Sequence, residues 1–167
     1  TEEDEHTGEQ FYNENVRYMV NRYIRDRNKP SDRLVWLTDE KTLAAQAEKF
    51  SAVCRSSFDR LKEYYNECLA VSEKMSGDMK KLFDATVLLH AKIHRFCSEG
   101  MILFTEGLMK SYADSWYSAF MTLGKSAEAF DTARKALDEA EYGVWKGFYF
   151  NECFADIKYT VYMVKKL

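Results

Sequence analysis

The stretch MKKLFDATVLLHAKIHRFCSEGMILFTEG, Met79 to Gly107, decides the fold. Read at alternating steps of three and four, it gives Met79, Leu82, Thr86, Leu89, Ile93, Phe96, Gly100, Leu103 and Gly107. A second row runs beside it through Phe83, Val87, His90, His94, Cys97, Met101, Phe104 and Leu108. Two adjacent rows at that spacing make one broad face of a long α-helix. Pro30 is the single proline of the chain, so little interrupts such helices.

Upstream, Leu43, Ala47, Phe50, Cys54, Phe58, Leu61, Tyr65, Cys68, Ser72 and Met75 repeat the spacing, with Thr38 or Asp39 as N-cap. Ser76-Gly77-Asp78 is all that separates the two runs, and so short a link folds two long helices into an antiparallel hairpin. A first helix is expected from Glu9 to about Arg27. It ends in the Asn28-Lys29-Pro30-Ser31-Asp32 break, with Arg33 to Leu37 docking as a short turn.

Downstream, the pattern passes Tyr112, Trp116, Phe120 and Leu123 as a core row and stops at Gly124. Ser126 then caps a segment with Phe130, Ala133, Leu137 and Ala140 inward. Gly143 and Gly147 bracket a loop or broken helix, and a last helix starts near Asn151. Gly100 and Gly107, seven residues apart on one face, suggest close approach by a neighbouring helix or ring.

The expected fold is all-α, an up-and-down antiparallel bundle of four to five long helices forming a single domain over residues 9–167. TEEDEHTG offers nothing to bury and predicts a disordered acidic tail over residues 1–8. The expected core is Leu43, Phe50, Cys54, Leu61, Leu82, Leu89, Ile93, Phe96, Leu103, Phe130, Leu137, Ile157 and Val161.

With 167 residues the chain can bury a core without a metal or disulfide. Its net charge is −3 with both signs interspersed, which argues against nucleic-acid binding. It has no run of eighteen apolar residues, so no membrane insertion is expected. Cys54, Cys68, Cys97 and Cys153 match no zinc spacing and read as small buried hydrophobes, although their even number leaves disulfides open. The amino-terminal TEEDEHTGEQ has neither the basic nor the apolar region of a signal peptide, and no compartment follows from it.

His90 and His94 stand four apart with Cys97 following on the same row, a spacing that can chelate a metal or pair a thiol with a base. The same row carries Phe83, Val87, Met101 and Phe104, so core histidines are the competing reading. The Glu-x-x-His motif of di-iron bundles occurs on no expected bundle helix, and the chain has no glycine-rich phosphate loop. No cofactor is expected.

Aromatic residues concentrate after Tyr112. Trp116, on a helical row, and Trp145, Lys146, Phe148 and Tyr149 are the candidate binding residues; the last four lie around two bracketing glycines, and not every ring there can face one core. Such rings suit a protein partner, a neighbouring domain of a longer chain, or a glycan. Three functions follow in order: a non-catalytic helical interaction or ancillary module, a small-molecule or glycan-binding bundle, and a metal or thiol enzyme centred on His90, His94 and Cys97.

The run Glu141-Tyr142-Gly143-x-Trp145-Lys146-Gly147-Phe148-Tyr149, within the stretch from Leu137 to Thr160, resembles helical C-terminal regions attached to some bacterial glycoside hydrolases. HAKIHRFCSEG from His90 and SWYSAF from Ser115 share the resemblance. It implies an ancillary helical domain beside a catalytic barrel, with the catalytic acid pair outside this segment.

Overall fold

The computed structural model describes residues 9–35, 37–149 and 156–167. The acidic tail over 1–8, Trp36, the helix start near Asn151 and Cys153 lie outside the described residues, as does the side chain of Trp145. Among the described residues every regular element is helical. In chain order they are α1 (Glu9–Arg25), a 3-10 turn (Asp32–Leu34), α2 (Leu43–Glu73), α3 (Gly77–Phe83), a π-helical turn (Asp84–Leu88) and α4 (Leu89–Tyr112). There follow α5 (Trp116–Ala140), a second 3-10 turn (Gly143–Trp145) and α6 (Ile157–Val164).

The all-α bundle is present, built around α4, which packs against α1, α2 and α5, while α6 closes the gap between α5 and α1. One contiguous core draws on all of these: Val16 and Met19 of α1, Phe50 and Cys54 of α2, Ile93, Cys97, Met101 and Phe104 of α4, Phe130 of α5 and Ile157 of α6. The α4–α5 seam is very close. A Cβ on Gly100 would stand 2.7 Å from the Phe130 ring, and one on Gly107 would stand 2.7 Å from Leu123 Cγ. Small residues of α5 face that seam, and the Ser126 hydroxyl donates to the Gly100 carbonyl at 2.7 Å. Ser126 is thus a buried mid-helix residue and not a cap, and α5 runs unbroken through Gly124.

Three further expectations are corrected. The α2 cap lies four residues later than Thr38, because Thr38 Oγ1 accepts from Glu40 N at 3.3 Å in a tight turn. Thr42 Oγ1 provides the cap instead, accepting from Ala45 N at 3.2 Å. The Met79–Gly107 helix is not uniform: the π-helical turn sits where the rod leaves the bundle. At 31 residues α2 is about 46 Å long, and its second half outreaches α5. There α2 and α3 form a two-helix arm with no third helix over it among the described residues, which is why Leu82 is 53% exposed and Leu61 only half-buried. Phe96, Leu103 and Leu137, also expected in the core, are likewise half-buried.

Polar pins hold the ends. Ser72 donates to Asp84 and accepts from Lys80, which pairs with Asp84 at 2.9 Å, and this ties the arm together. Burial raises the Asp84 pKa, but the Ser72 and Lys80 hydrogen bonds outweigh it and hold the carboxyl below its ordinary value. Behind the Pro30 break, the fully buried Gln46 clamps the Ser31 backbone. Its Oε1 accepts from Ser31 N at 2.8 Å and its Nε2 donates to the Ser31 carbonyl at 3.3 Å.

Candidate functional site

The α4–α5 seam fixes which face of α5 points outward. Phe130 and Leu123 of α5 sit over Gly100 and Gly107, and Ala119, Thr122 and Ser126 complete the buried face of α5. The bulky row is therefore turned to solvent. Trp116 is 52% exposed, Tyr117 79%, Phe120 71% and Met121 46%. This overturns the expectation that Trp116 and Phe120 are core residues. Four large apolar side chains stand side by side on the first two turns of one helix.

Trp116 is held from behind. The Arg27 guanidinium lies 4.7 Å from the Trp116 ring centroid and 5.4 Å from that of Tyr23. Arg27 Nη2 donates to the Ser111 carbonyl at 3.1 Å, and Tyr23 Oη donates to Ser111 Oγ at 2.9 Å. Tyr112 donates to the Arg27 carbonyl and meets Tyr23 edge-on, with ring centroids 5.8 Å apart. Burial, with a smaller contribution from Tyr23, pushes the Tyr112 phenol up to about 12. Ordered aromatic anchors beside a cation are the residue types that dominate binding energy at protein interfaces.

The other aromatic candidates are not part of this face. Trp116 opens α5, and the Trp145–Tyr149 segment lies beyond its end. The 25 residues of α5 put about 36 Å of helix between them. Glu141 organises that segment: its two carboxylate oxygens accept from Gly147 N at 2.7 Å and from Tyr149 N at 2.9 Å. Gly143 and Gly147 take positive φ, which permits the tight path. Tyr149 packs half-buried on the core, while Phe148 and Lys146 are exposed. Beside this segment a groove of about 680 Å³ runs between the arm and the end of α5. Its floor includes Ala85, Leu88, Ala136 and Ala140, and its rim carries Lys81 and the Lys92–Glu139 ion pair at 2.8 Å.

His90, His94 and Cys97 do not assemble as a centre. His90 is exposed, His94 meets the Tyr12 ring edge-on at 6.2 Å, and Cys97 is fully buried with Asn13 Nδ2 3.5 Å from its sulfur. Among the described residues no three His, Cys, Asp or Glu side chains converge to hold a metal. Cys54 and Cys68 are buried thiols, and burial pushes Cys54 up to about 12, so almost none of it is thiolate near neutrality. No helix among the described residues is long and apolar enough to cross a membrane.

Sequence reading counts Tyr117 among the aromatics after Tyr112 without assigning it to a site, and misses Met121. The signal available was Gly124, whose place in the same turn marks that face as uncrowded. Comparison with protein-family models, with curated proteins and with solved structures gives no match.

Proposed function

We propose that this protein is a non-catalytic helical interaction module that docks a protein partner through the amino-terminal face of α5. The observation that carries this is the exposure, side by side, of Trp116, Tyr117, Phe120 and Met121 on one rigid helix. A helix packed along its whole length costs little ordering on binding, and contiguous exposed apolar side chains gain most from being covered. In the ancillary form of this reading the partner is a neighbouring domain of a longer chain, as the resemblance to glycoside hydrolase regions implies. A glycan is the second occupant such rings suit.

The test compares two exposed rings from opposite ends of the molecule. Phe120→Glu is expected to abolish association with the partner, whereas Phe148→Glu leaves it within about twofold, both with wild-type circular dichroism. Equal loss from both variants, or from neither, counts against this face. A glycan panel read by Trp fluorescence separates the second occupant: a hit that Trp116→Ala removes favours the sugar.

A further inference from the structure

We infer that the occupant of this face is a second copy of the chain, its α5 packed antiparallel about a two-fold axis between Phe120 and Met121. The inference rests on the docking reading above and names its partner.

The first support is Gly124. A Cβ there meets nothing within 4 Å, unlike those built on Gly100 and Gly107, so nothing inside the chain requires a glycine at this position. A glycine in mid-helix weakens the helix relative to alanine. Next to an exposed aromatic stripe, its use is to let another backbone or ring come close.

The second support is register. Along α5, Tyr117, Phe120, Met121 and Gly124 form one stripe at helical spacing. Antiparallel pairing about the stated axis sets each Tyr117 opposite the other copy's Gly124, and each Phe120 opposite the other Met121. Each Tyr117 ring then meets a gap, and the two Phe120 rings stand beside one another across the axis. Because the contact is isologous, the Tyr117–Gly124 fit occurs twice. All these residues are exposed and available for it.

The third support is area. Aromatic side chains bury on the order of 150–250 Å² each, so Trp116, Tyr117 and Phe120 together with Met121, about half to four-fifths exposed, give on the order of 500 Å² per copy. The total, on the order of 1,000 Å², sits at the lower limit for a specific interface and fits a reversible dimer.

Sedimentation velocity of the full chain, across a micromolar to millimolar series, is the test. The wild type is expected to pass from monomer to dimer. Phe120→Glu is expected to weaken dimerisation by at least about tenfold. Gly124→Leu is the sharper variant: it strengthens the isolated helix yet fills the space the second copy needs. It is expected to melt higher than the wild-type monomer and to remain monomeric. A wild type that stays monomeric throughout, or a Gly124→Leu chain that dimerises as the wild type does, overturns the inference. If the wild type is monomeric and a photoreactive residue at position 120 traps a different protein, self-pairing fails and the docking reading stands. If it is monomeric and nothing is trapped, both fail.

Discussion

The Arg27 guanidinium lies 4.7 Å from the centre of the Trp116 ring. Arg27 follows α1, its backbone is held by Tyr112 at the end of α4, and Trp116 begins α5. Arg27 therefore ties the start of α5 to α1 and α4, while Trp116 stays 52% exposed. Arg27→Ala is expected to cost about 1 kcal/mol of stability. It should also raise acrylamide quenching of Trp fluorescence, a change that disappears in a Trp116→Phe background. Unchanged quenching would show that Arg27 does not order the ring.

Two glycines of the α4–α5 region make opposite predictions. Gly100→Ala drives a methyl group to 2.7 Å from the buried Phe130 ring and is expected to destabilise by about 1–3 kcal/mol. Gly124→Ala meets open space and is expected to stabilise by about 0.5–1 kcal/mol. Thermal melts at a concentration where the chain is monomeric decide both. A Gly124→Ala variant that melts lower would mean that this glycine serves the monomer.

Bulky residues were legible wherever both helices of a pair carried a periodic apolar row. Phe50 and Cys54 of α2 against Ile93 of α4, and Phe130 of α5, are buried as the spacing predicts. The Ser76-Gly77-Asp78 link did produce the hairpin, since Gly77 takes φ +63° at the turn. The α5 face was not legible. Periodicity marks a row but not its direction, and size pointed Trp116 and Phe120 inward. What decides is the partner: α4 presents Gly100 and Gly107, which receive Phe130 and Leu123 of α5, and that face, not the Trp116–Phe120 row, turns inward. Leu82 failed for another reason. Its row is continuous with Leu89 and Ile93, but nothing in a local pattern says that α5 ends before reaching it.

Gln46 is expected to be the most damaging polar site to remove. Gln46→Leu keeps the volume but leaves the buried Ser31 N–H and carbonyl without their side-chain partner, at a cost of about 2–3 kcal/mol. Chemical denaturation with an unchanged slope checks it. A loss under about 0.5 kcal/mol would mean that water replaces the clamp.

Stability should fall at high pH in a defined window. The Tyr112 phenol titrates near 10 when unfolded and about 12 when folded, chiefly because it is buried. A raised folded value contributes stability that is complete below the unfolded pKa. That contribution is lost as pH rises through the folded one, because the unfolded chain releases the proton first. Unfolding free energy is therefore expected to decline between about pH 10 and 12. Tyr112→Phe should remove that share of the slope, leaving the part from the Cys54 thiol, which begins near 9. An unaltered slope in Tyr112→Phe would contradict the assignment.

Thiol chemistry should be silent in the native state. Cys54, Cys68 and Cys97 are buried. Cys54 is held almost wholly protonated near neutrality by a pKa pushed to about 12. A disulfide reagent at mild alkaline pH is expected to label these three only on the timescale of unfolding. Rapid labelling of Cys97 in the folded chain would revive a thiol site beside His94.

The central claim is that the amino-terminal face of α5 is where this protein meets its partner, and photo-crosslinking from that face tests it most directly. A photoreactive phenylalanine analogue at position 120, in the otherwise unaltered chain, is expected to give one discrete adduct twice the mass of the chain. The same analogue at position 148 is expected to give none. Adducts of equal yield from both positions, or none from position 120, would contradict the account.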